Sequence, residues 1–445
     1  MSTHLRRGEA ELPPASLPDL IDYFHAGSKP REKWRVGAEF EKLALDRATG
    51  RQLTFDGPHG IESVLESLAA RFKWEPHHEA GRLTTLTRGG CVISVEPGGQ
   101  VELSTSACRE LSVIRDELET HVRELRAVTD PDRVVWCAAG VTPFSPVESI
   151  ALNPRPRHRL MAEFLPLKSP FALHMMKATC SVQATFDYSD EADAGRKMAV
   201  ALTLSPFVNA IFANSPWYAG APTGFASYRG HVWLNMDPAR SGFLSELLAG
   251  EVTFERWADV VLDVQMLFVL DGDTLRPSGG MTFRHFLNHG FDDLLPTLQD
   301  WELHLSTVFT EVRMKHFLEV RGADANCGPL SLAVPALWKG LLYHQPSLDA
   351  AAELAATIPP GDLRRVSESA ARRGLAAEYR GRPLTAWARE IADLSAAGLR
   401  AFGEASYLLP VFEHLDRGDS PGARLIAGFP GSTPIPRMVL ERIEW

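Results

Sequence analysis

Residues Cys91–Thr105 read CVISVEPGGQVELST. Apolar Ile93, Val95, Val101 and Leu103 alternate with polar Ser94, Glu96, Gln100 and Glu102, the period-two pattern of strands buried on one face. Pro97-Gly98-Gly99 supplies a three-residue reversal, because glycine reaches positive φ at little cost. Pairing Glu96 with Gln100 sets Ser94 opposite Glu102. A slip by one residue would turn the apolar set to the polar side, so the pattern itself selects the register. The segment predicts an antiparallel hairpin with two carboxylates close together on one polar face.

Three further segments repeat the device. In Gly37-Ala38-Glu39-Phe40-Glu41-Lys42, within a strand expected over 34–45, Glu39 and Glu41 are two apart and share a face. Thr179–Phe186 reads TCSVQATF and places Thr179, Ser181, Gln183 and Thr185 on one side. Near Phe317–Asp324, Glu319 and Arg321 share a face, and Glu311 and Arg313 show the same spacing just before. Carboxylates so gathered repel one another unless cations lie between them. Hard oxygen ligands suit Mg²⁺, which shares its coordination shell with substrate phosphates. Two or three such ions could hold ATP over a sheet. A solvated face crossed by surface ion pairs is the plainer reading of any single Glu-x-Glu, and three segments with clean apolar opposite faces weaken it.

Around these strands the periodicity predicts helices at 17–24, 60–71, 111–128, 191–204 and 254–262, and strands at 82–86 and 265–270. Residues 1–16 read as a loose leader. Residues 17–445 read as a single catalytic domain whose C-terminal part, from about 349, is helical. The fold class expected is α+β. The chain has 445 residues, 45% of them hydrophobic, enough for a sizeable core. A formal net charge of −10 argues against general nucleic-acid or anionic-membrane binding. Five scattered cysteines without a CxxC pair suit a reduced cytoplasmic protein. No secretory h-region and no long apolar run is present, so a soluble protein, monomer or homodimer, is expected. Asp271-Gly-Asp273 reads as a hairpin turn, His77-His78-Glu79 as an exposed polar loop, and Cys180 as a packed core thiol. The motifs of P-loop enzymes, Rossmann folds, zincins and serine hydrolases are missing.

The strings VGAEFEK, ISVEPGGQVELST, TCSVQATFDYSDEAD, IFANSP, WLNMDPARSG, LDVQMLFV, GMTFRHFL and VFTEVRMKHFLEVRGAD together resemble the glutamate–cysteine ligase family, in its plant-type and proteobacterial branch. They run in order from about residue 30 to 345, with a weaker likeness to about 430. The resemblance implies a glutamine-synthetase-like antiparallel sheet curved into a funnel and flanked by helices. It implies ATP, Mg²⁺ and glutamate inside that funnel, with cysteine as acceptor, and γ-glutamyl phosphate as intermediate. Carried over, Glu39, Glu41, Glu96, Glu102 and Glu319 match metal-binding carboxylates. Arg321, with Arg313 beside it, matches the catalytic arginine near the transferred phosphate. Arg229 lies in the glutamate-binding segment, Thr179 and Gln183 line the nucleotide and amino-acid sites, and Trp233 is a candidate substrate contact or a core aromatic. Lys177 stands where the family usually has Arg, and Gln265 where it has Pro, which bears on the acceptor rather than on the chemistry. Alternative readings are a sister ligase with another acceptor amine, supply of the same dipeptide for ergothioneine, and a non-catalytic glutamate or nucleotide sensor.

Overall fold

The computed structural model describes residues 13–429 and 436–445. At its centre lies a nine-stranded sheet whose neighbours are all antiparallel. In chain order its strands are β1 (Val36–Asp46), β2 (Glu75–Glu79), β3 (Arg82–Arg88), β4 (Cys91–Val95), β5 (Val101–Ser104), β6 (Val134–Cys137), β7 (Ser181–Phe186), β8 (Val312–Met314) and β9 (Leu318–Asp324). They lie side by side as β8-β9-β7-β1-β5-β4-β3-β2, with β6 on the far end of β1. The hairpin takes the expected register. Ser94 faces Glu102, Val95 faces Val101, and the Glu96 N–H donates to the Gln100 carbonyl at 2.9 Å.

Alternation then divides the sheet. Phe40, Leu103, Ile93 and Leu86 form one apolar row across four strands, and Ala38, Ala184, Val320 and Val312 another. Both rows are buried under the helices Leu111–Val128, Glu191–Phe212 and Pro329–Leu342. The opposite face is polar, and the segments around 153–178, 228–242 and 306–313 close over it.

Several expectations shift. The helix from Glu191 continues past Leu204 to Phe212, through Pro206. An internal proline costs about 3 kcal/mol, and this helix offsets that by being buried on nearly every side. Gln265 makes an isolated bridge to Thr282, and the strand there starts at Phe268. It returns through the Asp271-Gly-Asp273 turn, Asp271 facing Thr274. His77-His78-Glu79 is strand rather than loop, paired to β3 with a bulge. The C-terminal part is largely helical, beginning with Gln345–Ala356. Its last helix, Pro436–Ile443, packs Val439, Leu440 and Ile443 on Leu43, Leu45 and Val135. The Trp445 N–H donates to the Trp136 carbonyl at 2.9 Å, so the tail finishes the sheet beside β6. Of the expected leader, residues 1–12 lie outside the described residues.

Candidate functional site

Register arranges the polar face in three rows. Arg313, Glu319, Thr185 and Gly37 lie across β8, β9, β7 and β1. Gln183, Glu39 and Ser104 form the second row, and Glu41, Glu102, Ser94 and Thr85 the third. They floor a cavity of about 130 Å³. Every site residue expected from the sequence lines it: Glu39, Glu41, Glu96, Glu102, Glu319, Arg229, Arg313, Arg321, Thr179, Gln183 and Trp233.

The floor is electrically divided. On one side Glu41, Glu96 and Glu102 crowd together. Burial, then Glu96 and Glu102, push the Glu41 carboxyl up to about 8. Burial and Glu102 raise Glu96 to about 7, although Arg155, Arg157 and Arg321 pull against them. Glu41 accepts from the Ser181 N–H at 2.6 Å, and Glu102 from the Ser104 and Ser94 hydroxyls at 2.9 and 3.3 Å. On the other side cations dominate. Burial acts to raise Glu319, but Arg313, Lys315 and Arg321 outweigh it and hold its carboxyl well below the usual range. Arg313 bonds both Glu319 oxygens at 2.8 Å and is braced by the Leu305, Ser306 and Val308 carbonyls. Lys315 lies 3.3 Å from Glu319, and burial lowers it to about 8. The Arg321 guanidinium reaches Glu319 at 2.5 Å and the Gln183 amide oxygen at 2.9 Å.

The donor set on the first side fits a hard divalent cation. It is all oxygen, and burial with carboxylate repulsion holds Glu41 and Glu96 toward their protonated forms, a repulsion that a cation relieves. Among the described residues no three Asp, Glu, His or Cys side chains already meet as a metal cage. Glu319 in this arrangement spends its oxygens on cationic side chains.

Sequence reasoning missed the second source of positive charge. Arg155 and Arg157 enter from the Asn153–His158 segment. Arg155 pairs with Glu79 at 2.7 Å, which is how the edge strand β2 serves the site. Burial, then Arg155, lower Arg157 to about 10, and its Nε has no hydrogen-bond partner. Arg155-Pro-Arg157 carries a signal, since a proline between two arginines keeps both at the start of a helix, but no periodicity marks it. Other residues serve as struts. Thr179 donates to the Met175 carbonyl at 2.6 Å. Gln100 accepts from the Gly98 N–H and donates to the Thr179 carbonyl, tying the hairpin tip to β7. Gly98 is required at that tip, because a Cβ there would sit 2.1 Å from the Lys177 carbonyl oxygen. Lys177 does not line the cavity and donates to the Ile150 carbonyl at 2.8 Å. Cys180 is fully buried among apolar neighbours, as expected of a core thiol.

Comparison with known proteins follows the same lines. The family model described as Glutamate-cysteine ligase family 2 (GCS2) matches residues 35–433. Among curated relatives, a chloroplastic glutamate–cysteine ligase of Arabidopsis thaliana is 36% identical over 423 residues, covering 94% of this chain and 80% of the relative. Its counterpart in Medicago truncatula is 35% identical, covering 94% of this chain and 83% of the relative. Among solved structures, the glutamate–cysteine ligase of Francisella tularensis in complex with AMP superposes with a TM-score of 0.52 at 13% identity. That alignment covers 92% of this chain and 87% of the other, and speaks for a shared fold.

Proposed function

The chain belongs to the glutamate–cysteine ligase family, and from that premise we propose that it uses ATP to join the γ-carboxylate of L-glutamate to the amine of L-cysteine. The product is γ-L-glutamyl-L-cysteine, the first intermediate of glutathione biosynthesis. The observation that carries the residue assignments is that side chains from separate segments converge on one cavity, where five glutamates and five arginines meet.

A carboxylate does not condense with an amine in water without activation. A γ-carboxylate oxygen of glutamate attacks the γ-phosphorus of ATP, the bond to the bridging oxygen breaks, and ADP leaves. The cysteine amine then attacks the acyl carbon of γ-glutamyl phosphate, phosphate departs with its oxygen, and the amine loses a proton. Such transfer needs positioning and charge neutralisation rather than a protein nucleophile. Mg²⁺ ions held by Glu39, Glu41, Glu96 and Glu102 would supply neutralisation of the phosphates. Arg321 would supply positive charge at the transferred phosphoryl group, and Glu319 would be a further carboxylate for the metal. Arg313 stays fixed by three carbonyls and keeps Glu319 in place. Arg155 and Arg157 face Glu96 and add positive charge for the remaining phosphates. Arg229, Thr179, Gln183 and Trp233 shape the glutamate end.

All five cysteines are free, which supports work in a reducing compartment such as the cytoplasm. Among the described residues no helix is long and apolar enough to cross a membrane. The test is ADP release by the purified chain with MgATP and L-glutamate, with and without L-cysteine and a panel of other amines. Stimulation by cysteine with a γ-glutamylcysteine mass is the expected result. Stimulation by a different amine would replace the acceptor, and no ADP under any condition would overturn the enzyme reading.

A further inference from the structure

Behind the guanidinium side of the cavity, β9 carries a bulge. Val320 pairs with Ala184 and Ala323 with Val182, so Arg321 and Gly322 together oppose the single residue Gln183. Successive carbonyls of a regular strand point to opposite sides, so one guanidinium could not donate to both. Here the Arg321 and Gly322 carbonyls both receive Arg229, at 2.9 and 2.7 Å. Bulges re-aim side chains beside active sites, and this one aims Arg321 at Glu319 and Gln183.

Something must hold the bulge against relaxing. On Gly322, a Cβ would lie 2.2 Å from both Asn209 Nδ2 and Glu311 Oε2, so those side chains press directly on the glycine. The Asn209 amide donates to Glu311 Oε2 at 3.1 Å. Both, with Gly322, Arg229 and Trp233, line a small pocket of about 30 Å³ that adjoins the main cavity at Arg229 and Trp233. Arg229 is steadied from its own helix as well. Asp324 accepts from the Ser215 and Ser227 hydroxyls at 2.7 and 2.9 Å, and Ser227 accepts in turn from the Gly230 N–H at the start of that helix. Burial raises the Glu311 carboxyl, while Arg229, Asn209 and Arg321 favour its charged form.

We infer that Glu311 and Asn209 are positioning residues. They clamp the Arg321–Gly322 bulge from behind and so set the aim of the substrate-facing Arg229 and Arg321. The inference rests on the ligase reading above. It assigns Glu311 a task that its Glu-x-Arg spacing with Arg313 did not suggest, since Glu311 lines the pocket behind the bulge instead of the carboxylate cavity.

Steady-state kinetics on the full chain test it, with Glu311→Ala, Glu311→Gln and Asn209→Ala beside the wild type. A loss of packing alone lowers the active fraction and leaves both KM values in place. The clamp predicts that Glu311→Ala lowers kcat/KM for glutamate about tenfold, with KM for glutamate raised and KM for MgATP within about twofold. Glu311→Gln keeps the shape and the bond to Asn209, and recovers most of that loss. Should Glu311→Ala fail to fold, Asn209→Ala decides, with a smaller rise in glutamate KM. An unchanged glutamate KM in Asn209→Ala and in any folded Glu311→Ala overturns the clamp, as does Glu311→Gln falling as far as Glu311→Ala. No product from the wild type overturns the ligase reading, and the clamp with it.

Discussion

Glu41→Gln should make the metal-free protein more stable and inactive at once. Burial and the neighbouring Glu96 and Glu102 push the Glu41 carboxyl from 4.5 to about 8. The unfolded chain releases this proton near 4.5, and the folded chain keeps it up to about 8. Ionised Glu41 therefore costs stability that grows as pH rises through that window and is complete above it. At about 1.4 kcal/mol per pH unit the shift amounts to roughly 5 kcal/mol. Glu41 is part-exposed to the cavity, and solvent screening reduces this to roughly 2–4 kcal/mol. Unfolding entropy of about 2.1 cal/mol/K per residue over 445 residues converts that to a rise in Tm of roughly 2–4 °C. Glutamine has nearly the shape of the protonated side chain, so the two proteins should melt together near about pH 5 and separate by about pH 9. Titrating groups away from the Glu41, Glu96 and Glu102 cluster move both proteins equally and cancel in the difference. Thermal unfolding by circular dichroism, with chelator and then with saturating MgCl₂, reads it. Magnesium should raise the wild type and close the gap. A gap that is constant with pH, or a variant less stable throughout, would refute the crowding of Glu41, Glu96 and Glu102 as the origin of the effect.

Arg313→Met should destabilise by about 3–5 kcal/mol in denaturant unfolding, because it removes the two-pronged partner of a buried carboxylate and leaves three carbonyls without their donor. Arg313→Lys should recover only part of it, lacking the two-pronged geometry. Arg321→Ala should lower kcat about 10²–10³-fold with little change in Tm, since Arg313 and Lys315 still neutralise Glu319; equal loss in Tm and kcat would make it structural. Gly98→Ala should cost about 1–3 kcal/mol and raise KM for glutamate, since its Cβ meets the Lys177 backbone at 2.1 Å; wild-type stability would show that the hairpin tip is free to move.

The carboxylate floor was legible because it is periodic. Alternation in 91–105 fixed which side Glu96 and Glu102 take, and the same two-residue step placed Glu39, Glu41, Glu319 and Arg321. What alternation cannot reveal is partner choice across strands far apart in sequence. Arg313 facing Glu319 is a pairing of β8 with β9, and it brings to that carboxylate cations that alternation does not announce. Arg155, Arg157 and Lys315 escaped notice because they come from turns and helix starts, where residue spacing carries no face. The bulge at Arg321–Gly322 had a signal, a glycine within a strand, but its purpose depends on Arg229, 92 residues earlier. His77–Glu79 read as a loop because an exposed edge strand needs no apolar alternation, and pairing with β3 supplied the order.

The most direct test of the central claim follows one oxygen atom. L-Glutamate carrying heavy oxygen in its γ-carboxylate is turned over with ATP, magnesium and L-cysteine, and the released phosphate is analysed by mass. Activation through γ-glutamyl phosphate predicts one heavy oxygen in each phosphate, matched to γ-glutamylcysteine formed. Dipeptide accompanied by phosphate with only ordinary oxygen would contradict it, because the carboxylate would then never have attacked phosphorus.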